Sequence, residues 1–332
     1  MRDASSGQPG ARQRSPLRAC DHLLPLGAKT YVMAILNLTE DSFSGDGTGA
    51  DLDAAVRRAV AAASEGADMI DIGAESARAD VPARDPGEEA AIVAEAVVRV
   101  KAEVDALISV DTYKGQVAEA ALSAGACIVN DIGGFMNDAG TADAAAAHGA
   151  ALVINYTYER PKIRPATPPQ YDDVIGAHLA FFRDRIAIAE RAGVARESII
   201  LDPGIAFGKS HDEDLDVLRR LGEFRALGLP LLVAASRKHF IGSVLGLPPR
   251  ERDEATAAVT ALNIAYGADI VRVHNVRSAV RAAGIADAVV RGHAGDFAPT
   301  PGSWPWAAGA MPIAGTTIDA PSGDGRSVRR ED

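Results

Sequence analysis

Between residues 29 and 292 the chain alternates short apolar runs, polar or glycine-rich loops, and alanine-rich segments of helical period. The apolar runs fall at 31–36, 69–72, 107–110, 128–129, 151–154, 199–201, 231–233 and 270–273. Each is too short for a helix and apolar throughout rather than alternating, as a parallel strand covered on both faces requires. Four are entered through a Gly-Ala pair, at Gly66, Gly125, Gly149 and Gly267. Glycine there can take the left-handed conformation that ends the preceding helix. The same joint recurs because the same unit recurs.

Eight β/α units over roughly 260 residues match the size and count of an α/β fold of the (β/α)8 TIM barrel type. An open doubly wound sheet is the competing arrangement. The residues at the C-terminal ends of the runs favour the barrel: Asn37, Asp71 with Glu75, Asp111, Asn130 with Asp131, Asn155 with Tyr156, Asp202, Ser236 to Lys238, and Arg272 with His274. Polar groups after all eight strands converge on one mouth only if the sheet closes. Residues 1–28, rich in Ser, Gly, Pro and Arg, read as a flexible N-terminal extension, 29–292 as the barrel, and 293–332 as a flexible C-terminal tail.

Charge narrows the partners. A net charge of −11 over 332 residues argues against a surface built for nucleic acid, so any anionic ligand is small and locally bound. With 47% hydrophobic residues the chain is neither disordered nor, lacking a run of about 18 apolar residues, a membrane protein. Cys20 and Cys127 are far apart in sequence, which offers no disulfide framework and suits a reducing cytoplasm.

Asp111 and Asp202 each end a buried run, where a lone carboxylate is costly without donors. Each can be read as a cap on the next helix or loop. Joined by Asn130 and Lys238 from other strand ends, they read as ligand recognition, offering acceptors, a mixed donor and acceptor, and one cation to a planar heterocycle with amide and amine edges. Arg272 and His274 alternate on the last strand and point the same way. With Ser236 and Arg237 they suit an oxyanion near strands seven and eight, and a salt-bridge network at the rim is the structural alternative. Ser-His-Asp order, the zincin helix, the P-loop and the dinucleotide-binding glycine motif are all absent.

Several segments in series resemble the dihydropteroate synthase family: MAILNLTEDSFSGDG (33–47), GADMIDIGAESAR (66–78), ISVDTYKGQVAEAALSAGACIVNDIGG (108–134), IILDPGIAFGK (199–209), SRKHFIG (236–242) and GADIVRVHNV (267–276). The resemblance implies a (β/α)8 barrel, usually a homodimer, that joins 6-hydroxymethyl-7,8-dihydropterin pyrophosphate to p-aminobenzoate. By it Asp111, Asn130, Asp202 and Lys238 would hold the pterin, with Asp71 at the base of the pocket. Asn37, Arg272 and His274 would hold the pyrophosphate, Asn37 also facing Mg2+. Phe43, Arg78, Phe207, Ser236 and Lys238 would frame p-aminobenzoate. The catalytic group so implied is Asp111, Asp202, Lys238, Arg272 and His274.

The chain departs from the family in its loops. The second loop usually reads GESTRPG, and here runs Glu75-Ser76-Ala77-Arg78-Ala79-Asp80. After the fifth strand a His-Met segment is replaced by Asn155-Tyr156-Thr157-Tyr158-Glu159. Such drift also fits a pterin-binding paralogue with another or no second substrate. A methyltransferase acting between a folate and a corrinoid protein is a further alternative, against which the Arg272 and His274 pair speaks.

Overall fold

The computed structural model describes residues 15–39, 47, 51–76, 80–136, 139–163 and 169–292. In chain order the elements are β1 (Leu17–Ala19), β2 (His22–Leu24), β3 (Tyr31–Asn37), α1 (Leu52–Ser64), β4 (Met69–Gly73), α2 (Pro86–Lys101), β5 (Leu107–Asp111), α3 (Gly115–Ala124), β6 (Ile128–Asp131) and α4 (Gly140–His148). They continue with β7 (Ala151–Asn155), α5 (Val174–Ala192), β8 (Ile199–Asp202), α6 (His211–Arg219), β9 (Leu232–Val233), α7 (His239–Leu245), α8 (Asp253–Tyr266), β10 (Ile270–Val273) and α9 (Val276–Arg291).

All eight apolar runs form parallel strands, in the order β8-β7-β6-β5-β4-β3-β10-β9. A parallel bridge between Leu201 and Leu231 joins the two ends, so the sheet closes. The fold is a (β/α)8 TIM barrel. The Gly-Ala joints behave as the pattern predicts, with positive φ at Gly66, Gly125, Gly149 and Gly267.

Side-chain alternation divides the apolar runs between two cores. Val32, Ala34, Leu36, Ile70, Ile72 and Val110 point outward against the helices. Met33, Met69, Ile128, Val153, Ile200 and Ile270 fill the barrel. The interior cluster includes Leu17, Ala19 and Leu24. These come from the antiparallel β1-β2 hairpin, so part of the stretch expected to be a flexible extension is ordered and plugs the floor. The physical reason is burial: Leu17 and Ala19 are 1% and 0% exposed, which offsets the entropy of ordering a short ribbon. Residues 1–14 and the 293–332 tail lie outside the described residues. Among the described residues no helix is long and apolar enough to cross a membrane.

Candidate functional site

Parallel register sets the rim. Asn37 pairs with Gly73, Gly73 with Asp111, and Asp111 with Asn130, which brings four consecutive strand ends to one level. Gly73 leaves the space this needs, since a Cβ there would sit 3.3 Å from that of Asp111. Beneath this level Asp71, wholly buried, accepts from Asn130 Nδ2 at 2.9 Å and from Arg272 Nε at 2.5 Å. The other end of the guanidinium donates from Nη2 to Asp111 at 2.7 Å. One planar cation therefore ties two carboxylates from neighbouring strands, the geometry for which Arg is suited and Lys is not. Burial carries the Asp111 carboxyl up to about 7, Arg272 pulling it down and Asp71 pushing it further up. Burial alone would lower Arg272, but Asp71 and Asp111 hold it above its ordinary value.

Across the mouth, burial lifts Asp202 to about 6 against a 2.8 Å bond from Gly204 N–H and the field of Lys238. Lys238, lowered by burial and by Arg272, lies 4.9 Å from the centre of the Phe207 ring. The loop carrying Phe207 is held from behind by Lys209, whose fully buried ammonium donates to the Gly204 and Pro203 carbonyls at 2.6 and 3.2 Å. Gly204, at φ +61°, packs so tightly that a Cβ would meet the Tyr156 carbonyl oxygen at 1.9 Å. Only glycine fits there.

At the third side the Ser236 hydroxyl lies 2.9 Å from His274 Nδ1 and accepts from the His274 N–H at 3.2 Å. The hydroxyl oxygen accepts from the backbone N–H, which leaves its own O–H able to donate to Nδ1. A neutral imidazole that accepts this bond at Nδ1 carries its ring proton on Nε2. Arg237, expected beside the anion, turns away: its guanidinium grips Asp253 at 2.6 and 2.9 Å.

Nine of the twelve residues assigned to the site from the sequence line one pocket, Asn37, Asp111, Asn130, Asp202, Phe207, Ser236, Lys238, Arg272 and His274, together with the strand-end residues Glu75 and Asn155. Asp71 supports that lining from beneath. Phe43 and Arg78 lie outside the described residues.

Residues 33–274 match the family model of pterin binding enzymes. Dihydropteroate synthase of Bacillus subtilis strain 168 is 43% identical over 262 residues, which is 79% of this chain and 89% of that protein. The chain belongs to the dihydropteroate synthase family. These enzymes are transferases. A solved Yersinia pestis dihydropteroate synthase, in complex with a sulfonamide drug, superposes with TM-score 0.77 at 36% identity, covering 82% of this chain and 98% of that one. The Xanthomonas albilineans dihydropteroate synthase with 4-aminobenzoic acid gives TM-score 0.75 at 35% identity, covering 83% and 98%.

Measured against the motifs of the dihydropteroate synthase family, the altered loops carry ties that sequence reasoning missed. Glu75 lines the pocket and accepts from Tyr113 Oη at 2.7 Å, Lys114 Nζ at 2.5 Å and Arg84 N–H at 2.8 Å. Burial opposes its charge, yet these donors bring the Glu75 carboxyl below its ordinary value. Lys162, from the segment after β7, donates to the Ser76 and Val81 carbonyls on either side of the second loop. The acid-rich rim and the lysines were visible in the sequence, but which lysine reaches which loop depends on contacts across 39 and 81 residues.

Proposed function

We propose that this site condenses 6-hydroxymethyl-7,8-dihydropterin pyrophosphate with p-aminobenzoate to give 7,8-dihydropteroate and pyrophosphate. One observation carries the reading: Asp111, Asn130, Asp202 and Lys238, from four strand ends, converge on a single pocket. Two carboxylates accept from the amine and ring N–H edge of a pterin, Asn130 gives and takes, and Lys238 donates to the carbonyl side. Asp71 acts as a positioning residue, holding Asn130 and Arg272 without lining the pocket. Phe207 supplies a flat apolar wall for the arylamine, and Ser236 and Lys238 meet its carboxylate. Phe43 and Arg78 complete that side in this reading.

The arylamine nitrogen attacks the pterin methylene carbon as the C–O bond to pyrophosphate breaks. An aniline-type nitrogen is nucleophilic without a strong base, and it releases its proton to solvent after bond formation. His274 donates from Nε2 to the departing oxyanion, and Arg272, with two of its donors held by Asp71 and Asp111, brings positive charge to the same side. Asp202 faces the electron-rich ring, where it favours the positive charge that a loosened bond leaves.

Mg2+ is compatible with the donor set. Among the described residues there is no group of three or more His, Cys, Asp or Glu side chains suited to caging a metal. A single amide oxygen, that of Asn37, beside substrate oxygens suits an ion that keeps most of its waters. Bound there, Mg2+ supplies charge neutralisation for the leaving pyrophosphate.

The homodimer and cytoplasmic location belong to the same proposal. Leu262 and Tyr266 of α8 and Ile285, Val289 and Val290 of α9 are exposed apolar residues on two adjoining helices, from 42% to 79% exposed, which suits a self-association face. The test is pyrophosphate release by the purified protein with Mg2+ and dihydropterin pyrophosphate, with and without p-aminobenzoate, alongside detection of dihydropteroate. Release that depends on p-aminobenzoate and matches product supports the reading. Tight binding of the ester with no product would overturn it in favour of a binding paralogue.

A further inference from the structure

The barrel floor holds a pair of groups the chemistry at the mouth does not use. Cys20 sits in the turn of the β1-β2 hairpin at φ +51°, its N–H donating to the Gly149 carbonyl at 2.8 Å. Its Sγ lies 3.9 Å from the carbonyl oxygen of Ala126, 106 positions away in sequence and the neighbour of Cys127. That contact sets the Cys20 thiol beside Cys127, and each of the two thiols shifts the titration of the other. Both are free and only partly buried. The Lys101 ammonium, fixed 3.2 Å from the Gly125 carbonyl, places positive charge beside the pair, and Asp21 is the opposing charge.

We propose that Cys20 and Cys127 form a thiol–disulfide exchange site that takes a low-molecular-weight disulfide of the glutathione type and closes into an internal bridge between hairpin and barrel floor. The Cys127 thiolate attacks one sulfur of the reagent and releases one thiolate. Cys20 then gives up its proton and attacks the Cys127 sulfur of the mixed disulfide, releasing the second thiol. Two protein thiols are oxidised to one disulfide, and one external disulfide is reduced to two thiols. Cys127 is the attacking partner: the neighbouring Cys20 thiol and the Lys101 ammonium, held at the Gly125 carbonyl, work against burial to bring it down to about 7, while Cys20 is pushed up. The bridge would close a loop of more than a hundred residues and fasten the plug of the barrel.

The test treats the full chain with oxidised glutathione and follows free thiols, intact mass and Tm. The expected result is loss of both thiols with no glutathione retained, a Cys20–Cys127 peptide on mapping, and a Tm rise of about 5 °C that dithiothreitol reverses. The variant C20S should stop at a glutathione adduct on Cys127, and C127S should react more slowly than C20S; neither should gain Tm. Separate glutathione adducts on both cysteines of the unmodified chain, or disulfide-linked dimers in place of the internal bridge, would overturn the proposal.

Discussion

The two ends of this barrel are made from the same strands and solve opposite problems. At the floor, Leu17, Ala19 and Leu24 close the interior with side chains that ask only to be removed from water. At the mouth, Asp71, Asp111, Asp202, Lys238 and Arg272 are packed where each charge depends on a neighbour. Burial alone closes one end and mutually dependent charges line the other, so the floor bears on stability only and the mouth on stability and chemistry together.

The contrast can be broken first at Arg272. Arg272→Ala leaves Asp71 and Asp111 buried without their cation, so it should abolish turnover and also cost about 3 kcal/mol or more of stability. Activity assays with calorimetry check this; an unchanged Tm would show that the paired carboxylates do not depend on it. Lys238→Ala should separate the two properties, lowering kcat/KM by about 100-fold or more with Tm held or raised, because burial already disfavours this ammonium. At the floor the pattern reverses. Leu17→Ala, at a 1% exposed position, should cost about 3 kcal/mol and leave kcat/KM within about twofold. A parallel loss of activity would mean that the floor and mouth are coupled.

The smallest effect is in pH dependence. Burial holds Asp202 at about 6 and Asp111 at about 7, both above the range of an unfolded carboxylate. Between about pH 4 and 7 the folded state therefore retains protons that the unfolded chain has released, and stability falls as pH rises through that window. Asp202→Asn removes its share, so the unliganded variant should show a flatter Tm profile there and a higher Tm at pH 7. Identical profiles for the two proteins would contradict this. Affinity for the pterin should change the other way, weakening in the original chain as pH falls below 6 and its acceptors protonate.

Much of this was legible in the sequence because the barrel is built from local rules. A short apolar run ending in a polar residue states its strand and the rim group it carries, so eight of those nine pocket residues emerged from the pattern, and Phe207 from the resemblance alone. The hairpin was hidden by its size: two three-residue strands beside a Gly and Pro-rich tail carry too little periodicity to separate from it. The direction of Arg237 was hidden for another reason. Its position after β9 implied the mouth, but a positive φ of 56° and the Asp253 carboxylate turn it outward. Lys209 and Lys162 act on loops through carbonyl oxygens, a kind of partner every residue has, so no sequence feature marks them.

Barrel closure has one further consequence. β3 runs for seven residues and β9 for two, and the residues leading into β9 meet β8 through the Leu201 and Leu231 bridge and the Leu201 N–H on Pro230. Asp202 lies at the end of β8 on one side of this seam, and Lys238 begins the helix after β9 on the other. A pterin held by both would span the join like a staple, so occupancy of the pocket and integrity of the cylinder become a single mechanical property. The ligand is then a missing piece of the wall as well as its guest.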